Sequence, residues 1–147
     1  MIVKFFRSGI SKGESPINYL IGSDRDRPGA RVMMGDPDLI IRIINSTKFT
    51  KKYTSGVLSF SESDISDELL MIVMLDFEKT ILPGISPSEY SFLWVKHEDK
   101  GRVELHFVIP TLNLASERRL QPYYVGQDFY GIDAWQTMIN IKYKFED

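Results

Sequence analysis

Residues 93–110 read Leu93-Trp94-Val95-Lys96-His97-Glu98-Asp99-Lys100-Gly101-Arg102-Val103-Glu104-Leu105-His106-Phe107-Val108-Ile109-Pro110. Two β-prone runs, Tyr90 to Glu98 and Arg102 to Ile109, flank a Lys100-Gly101 turn, and Pro110 ends the second run. This is the pattern of an antiparallel hairpin. Side chains alternate faces along a strand. Val103, Leu105 and Phe107 therefore make one apolar face, which reads as the core side. Arg102, Glu104 and His106 make the other face, which reads as the working side. A two-residue turn at 100–101 puts His97 on that polar face, directly opposite Glu104, at a cross-strand Cβ separation of about 5 Å. Val95 shares the polar face and interrupts it. His97 and His106 are the chain's two histidines. Imidazole, carboxylate and imidazole converging on one spot suit a hard or borderline cation, and the same donors occur in non-haem iron triads. The spacing does not choose the metal. A solvated strand face with a His–Glu hydrogen bond is the plain alternative.

Outward from the hairpin, strands and helices alternate. Residues 1–6 read as a strand. Ser15-Pro16 reads as an N-cap followed by proline at the first helical position, opening a short helix from Pro16 to Ile21 that stops at Gly22. Tyr19 lies on it. Ala30 to Met33 reads as a strand, and Asp36-Pro37 repeats the cap-plus-proline signal for a helix over 37–46. Residues 54–60 read as a strand. The longest helix spans Ile65 to Leu82, with Leu69, Ile72, Val73 and Phe77 at helical spacing, and Pro83-Gly84 ends it. Residues 111–130 read as irregular, with a short strand near 120–124. A last helix covers Asp133 to Tyr143, with Trp135 as a core residue. The sum is α+β, one domain over residues 1–147.

Composition bounds the function. A hydrophobic share of 43% and a charged share of 26% are those of a globular chain. No apolar run approaches the ~18 residues of a membrane span, so no membrane insertion is expected. The opening seven residues are too short and too charged for a signal peptide. The absence of cysteine excludes thiol catalysis, thiolate zinc sites and disulfides. A cytoplasmic location fits. The net charge is -2, but residues 1–60 hold ten Lys/Arg against five Asp/Glu, while the remainder holds eight against fifteen. That asymmetry permits a polyanion surface on one face.

Residues 93–110 resemble the third motif of plasmid mobilisation relaxases of the colicin-plasmid type, whose signature is His, then Glu seven residues on, then Asn two residues later. Residues 11–27, Ser11-Lys12-Gly13-Glu14-Ser15-Pro16-Ile17-Asn18-Tyr19 and onward to Arg27, resemble the segment that carries the nucleophilic tyrosine. Residues 51–60, 119–124 and 134–137 add further similarity, all in collinear order. One position departs: His106 stands where the family usually has Asn. Histidine there draws metal preference toward borderline ions.

The resemblance implies an antiparallel-sheet core shared by relaxases and rolling-circle initiators, with helices on one face and the tyrosine helix over the sheet, opposite the metal ligands. It implies metal-dependent nicking and rejoining of one DNA strand at a plasmid transfer origin in bacterial cytoplasm. Tyr19 would form a covalent 5′-phosphotyrosyl intermediate. His97, Glu104 and His106 would hold a divalent metal ion, magnesium or manganese, with nickel or zinc as the alternatives. Candidate DNA contacts are Lys12, Arg25, Arg27, Lys51, Lys52, Arg102, Arg118 and Arg119, with Tyr53, Tyr123 and Tyr124 as stacking platforms. The partners implied are single-stranded transfer-origin DNA, accessory mobilisation proteins and a conjugative coupling protein. The final residues carry no stop signal, so the domain reads as the amino-terminal part of a longer protein. Two other readings stay open: a DNA-binding relative without cleavage activity, and an unrelated His/Glu/His metal enzyme.

Overall fold

The computed structural model describes residues 1–7, 9–120, 122 and 129–146. Among them, five strands form one sheet: β1 (Ile2–Phe5), β2 (Ala30–Met34), β3 (Tyr53–Ser59), β4 (Leu93–His97) and β5 (Glu104–Pro110). The order is β1-β3-β5-β4-β2, with every neighbouring pair antiparallel. The α-helices are α1 (Glu14–Ile21), α2 (Pro37–Ser46), α3 (Asp67–Ile81) and α4 (Phe129–Tyr143). The α+β expectation holds. No helix among the described residues is long and apolar enough to cross a membrane.

The hairpin has the expected register, His97 opposite Glu104 and Val95 opposite His106. Leu105, Phe107 and Ile109 point into the larger core, formed with α3 and α4. Phe77 of α3 is its hub, with ring centroids 5.0–6.1 Å from Phe5, Trp94, Phe107 and Trp135. Each such pair adds about 0.5–1.5 kcal/mol beyond its buried area. Trp135 is core, as expected.

The helices do not lie on one face only. A second core, built from Ile17, Leu20, Ile21, Ile40 and Ile44 of α1 and α2 with Leu93, Val95 and Val108, covers the other side of the sheet. Val95 is therefore no interruption; it belongs to that second core. The polar side of the hairpin is not a solvated face, because α1 and α2 pack over it.

Three boundaries differ for identifiable reasons. The first helix begins at Glu14 and Ser15 does not cap it. Its first free amide, on Gly13, is instead bound by Asn45 Oδ1 of α2 at 2.9 Å, and Asn45 Nδ2 donates to Glu14 Oε1 at 2.8 Å. Gly13 is needed there: a Cβ would sit 2.8 Å from Ile41 Cα. The third helix is capped by Ser66, whose Oγ accepts from the Leu69 amide at 3.2 Å. Its buried stripe is Leu70, Val73, Met74, Phe77 and Ile81, whereas Ile72 is 52% exposed. The stripe is turned from the expected one: Leu70 and Met74 are fully buried, Leu69 packs half-buried against the core, and Ile72 faces out. The last helix starts four residues before Asp133. The strand expected near 120–124 lies mostly outside the described residues.

Candidate metal centre and nucleophile

His97 ends β4, while Glu104 and His106 begin β5, so the hairpin register alone sets the three side by side. One donor atom from each lies within 4.8 Å of the others. His97 is only 1% exposed, and Glu104 and His106 are also buried. The imidazole rings stand 4.4 Å apart, centroid to centroid.

The hydrogen bonds fix the chemistry of each donor. His97 Nε2 lies 2.7 Å from the Leu20 carbonyl oxygen, so Nε2 carries the proton and Nδ1 keeps a lone pair. A backbone carbonyl holding the far nitrogen is a common way to orient a metal-ligating imidazole. His106 Nε2 faces Glu104 Oε1 at 3.4 Å, while its Nδ1 is buried with no hydrogen-bond partner among the described residues. Glu104 Oε2 faces Arg102 at 3.1 Å and Lys100 at 3.7 Å.

Burial pushes the His106 imidazole down to about 4, and the neighbouring His97 adds to the effect. Burial also holds His97 below its ordinary value, against the opposing Leu20 hydrogen bond. Burial pushes Glu104 up, but the His106 hydrogen bond and the Lys100 and Arg102 charges outweigh it and keep the carboxyl below its usual range. The two imidazoles are thus neutral and the carboxylate charged at neutral pH. That is the protonation state a divalent cation needs from its ligands. The donor set, its protonation and the orphaned imidazole nitrogen all fit a metal ion.

Tyr19 stands at the mouth of this site. It is 64% exposed, and its ring meets His106 edge-on, with centroids 6.4 Å apart. A cleft of ≈ 420 Å³ runs from Tyr19 and His106 past Phe6, Tyr53, Ser55 and Val108.

The expected DNA contacts divide. Arg102 turns inward, to Ser59 Oγ at 2.5 Å and to Glu104. Arg27 also turns inward, over the Tyr19 ring. Arg25 pairs with Asp38 at the start of α2. Lys52 Nζ donates to the Thr47 carbonyl at 3.4 Å. Lys51 and Arg119 line a second cleft of ≈ 310 Å³ with Arg7 and Phe49. Lys12 and Arg118 are exposed and line neither cleft. Tyr53 is not an open stacking platform: it is 3% exposed, and its hydroxyl pairs with Ser11 Oγ at 2.8 Å. Tyr123 and Tyr124 lie outside the described residues. The sequence reading missed Arg7, Asp99 and the Leu20 carbonyl. Arg7 was visible as a cation at the end of β1; the other two act only through tertiary contacts.

Fold and site together define a class: an α+β domain whose antiparallel sheet carries a His/Glu/His set able to hold a cation beneath an exposed tyrosine. Residues 36–145 match the relaxase family described as MobA/VirD2-like, nuclease domain, and the chain belongs to that family. It is 48% identical over all 147 residues to DNA relaxase MbeA of Escherichia coli, and 49% identical over 147 residues to cryptic plasmid protein C of Neisseria gonorrhoeae. The chain spans 28% of the first relative and 72% of the second. The family match contains His97, Glu104 and His106, whereas Tyr19 precedes it; both relatives align across Tyr19 as well.

Proposed function

We propose that this domain nicks and rejoins one strand of plasmid DNA at a transfer origin, with Tyr19 as nucleophile and His97, Glu104 and His106 as ligands of a divalent cation. The observation that carries the reading is the edge contact of Tyr19 with His106, made by a helix whose Leu20 carbonyl also binds His97. Nucleophile and ligand set are thereby parts of one connected unit. A cation bound there, magnesium or manganese, supplies Lewis acidity at the phosphate oxygens and lowers the cost of a phenolate.

Tyr19 Oη forms a bond to the scissile phosphorus, and the bond from phosphorus to the 3′ oxygen breaks. The phenol proton passes to solvent and the departing 3′ oxygen takes one up. The product is a 5′-phosphotyrosine and a free 3′-hydroxyl. The tyrosyl ester conserves the phosphodiester energy, so the 3′-hydroxyl reseals the strand by the reverse step, which a water nucleophile would not permit. The His106 hydrogen bond and the Lys100 and Arg102 charges hold Glu104 ionised. The cleft between Tyr19 and Tyr53 accepts unpaired nucleotide next to the attacked phosphate, and Arg7, Lys51 and Arg119 receive phosphates further along.

The Escherichia coli relative is named a DNA relaxase, which supports the reading. In the same reading the domain is the amino-terminal part of a longer cytoplasmic protein that meets accessory mobilisation proteins and a coupling protein. The test is cleavage of single-stranded oligonucleotides built from transfer-origin sequences, with manganese or magnesium, on a denaturing gel. The expected result is a protein–DNA adduct mapping to Tyr19, abolished in Tyr19→Phe with DNA affinity kept within about twofold. An adduct that survives in Tyr19→Phe removes Tyr19 from its role. Salt-sensitive binding without an adduct under any metal would favour a binding-only domain.

A further inference from the structure

Arg27 reads from the sequence as a DNA contact, yet its guanidinium is engaged by the protein. Nη1 donates to the Tyr19 carbonyl at 2.6 Å, and the carbon of the guanidinium lies 5.3 Å from the centroid of the Tyr19 ring. Nη2 pairs with Asp99 in the β4–β5 turn at 3.2 Å. One side chain therefore touches the backbone and the ring of the same tyrosine, and ties both to the hairpin that carries His97, Glu104 and His106.

The end of α1 explains why this matters. A helix leaves its last four carbonyls without helical partners. Here Asn18 O accepts from the Gly22 amide, Leu20 O from His97, and Ile21 O from the Arg27 amide at 3.1 Å. Tyr19 O accepts from the Arg27 side chain. Arg27 serves two of the four and His97 a third, so the turn bearing Tyr19 is tied to the hairpin directly by His97 and, through Asp99, by Arg27. A cation at this end also suits the helix dipole. The contact is braced from behind: the Glu98 amide donates to Gly29 O at 2.8 Å. Gly29, at φ +73°, lets the chain pass so close that a Cβ would lie 3.0 Å from the Asp99 backbone nitrogen.

We propose that Arg27 is the positioning residue of this domain: it holds Tyr19 over the His97–Glu104–His106 site by bridging the tyrosine to Asp99. The inference rests on Tyr19 being the nucleophile. The planar fork is what does this, since one guanidinium reaches a carbonyl and a carboxylate together while its face meets a ring; an ammonium cannot.

Three variants test it: Arg27→Ala, Arg27→Lys and Asp99→Asn, each compared with Tyr19→Phe. A positioning role makes the adduct-forming rate at saturating DNA fall about 100-fold in Arg27→Ala, the scale of roughly 1 Å misplacement of a reacting group. The dissociation constant for DNA and its salt dependence stay within twofold. Arg27→Lys recovers less than threefold of the rate, and Asp99→Asn loses part of it. In the metal-free protein, the Overhauser contact between the Tyr19 and His106 rings disappears in Arg27→Ala and persists in Tyr19→Phe, where the substituted ring takes it over. The proposal is overturned if Arg27→Ala keeps its saturating rate while affinity falls and the salt slope drops by about one, which is the signature of a phosphate contact. Full rescue by lysine overturns it as well. An adduct that persists in Tyr19→Phe overturns the nucleophile assignment itself, which the Arg27 variants alone would not do.

Discussion

The metal-free domain should lose stability on mild acidification, and the size of the loss follows from His106. Burial holds this imidazole at about 4, against an ordinary 6.5. The groups facing it are Glu104 on its own strand, His97 from β4, Tyr19 from α1 and Arg27 from the segment after α1. Glu104 opposes the shift, whereas His97 and Arg27 reinforce it. Between these two values the unfolded chain binds a proton that the folded chain excludes. Stability therefore rises with pH through this window and is lost as pH falls below about 6.5. The slope approaches 1.36 kcal/mol per pH unit. From pH 8 to pH 5 the loss assigned to His106 alone is about 2 kcal/mol. His97, lowered as well, adds in the same direction.

Carboxylates do not confuse this window. The Glu104, Asp67 and Asp99 carboxyls are held low in the fold, so their contribution is lost only as pH falls below their ordinary values near 4. The assay is urea unfolding in chelator, followed by fluorescence of Trp94 and Trp135, both buried in the larger core. Wild type should lose about 2 kcal/mol more than His106→Asn between pH 8 and pH 5. A difference under about 0.5 kcal/mol would refute the claim that burial holds the imidazole neutral, and with it the argument that the site is prepared for a cation.

Two further outcomes concern the site and the core. Cleavage should stop in chelator and return with added manganese or magnesium, and His106→Asn should retain activity with its metal preference shifted away from nickel and zinc, since an amide oxygen is a harder donor than imidazole; full cleavage in chelator, or an inactive His106→Asn, contradicts this. Glu78 is buried in α3 and accepts from Tyr90 Oη at 2.7 Å and Trp94 Nε1 at 2.9 Å. Glu78→Leu removes both acceptors and leaves the buried Trp94 N–H without its partner, and should cost about 1–3 kcal/mol in thermal or urea unfolding, with a loss under about 0.5 kcal/mol refuting the pairing.

The candidate ligand set is legible in the sequence because a period of two and a connection of even length fix which side chains meet; the connection is the six residues 98–103, not the two-residue turn expected at 100–101, but its even length keeps His97 opposite Glu104. The second helix is legible for a similar reason: Asp36 accepts from the Asp38 and Leu39 amides and Pro37 follows it, so both signals are local. The second core is not legible. Its sheet contribution includes Leu93, Val95 and Val108, which share one face of the hairpin with the site residues themselves. A face that carries both ligands and core reads from sequence as a polar face with a blemish. The start of α1 is hidden because its cap is Asn45, more than thirty residues away. Arg27 misleads because a basic residue in a polar loop looks the same whether it faces phosphate or a neighbouring carbonyl.

Burial under α1 and α2 has opposite effects on the two kinds of ligand, and the site depends on both. It strips solvent from the imidazoles and so keeps them neutral, the form that donates a lone pair. The same burial pushes the Glu104 carboxyl up. The His106 hydrogen bond and then the Lys100 and Arg102 charges outweigh that, and all three come from this hairpin, so the hairpin that places the candidate ligands also supplies the groups that keep one of them ionised. The tyrosine, by contrast, lies on the covering helix and stays exposed, where a strand of DNA can reach it. Its alignment therefore cannot come from burial and has to come from contacts at the end of that helix. The carbonyls of residues 19–21 make those contacts, to His97 and Arg27, so a change in the helix end moves the proposed nucleophile and a proposed metal ligand together.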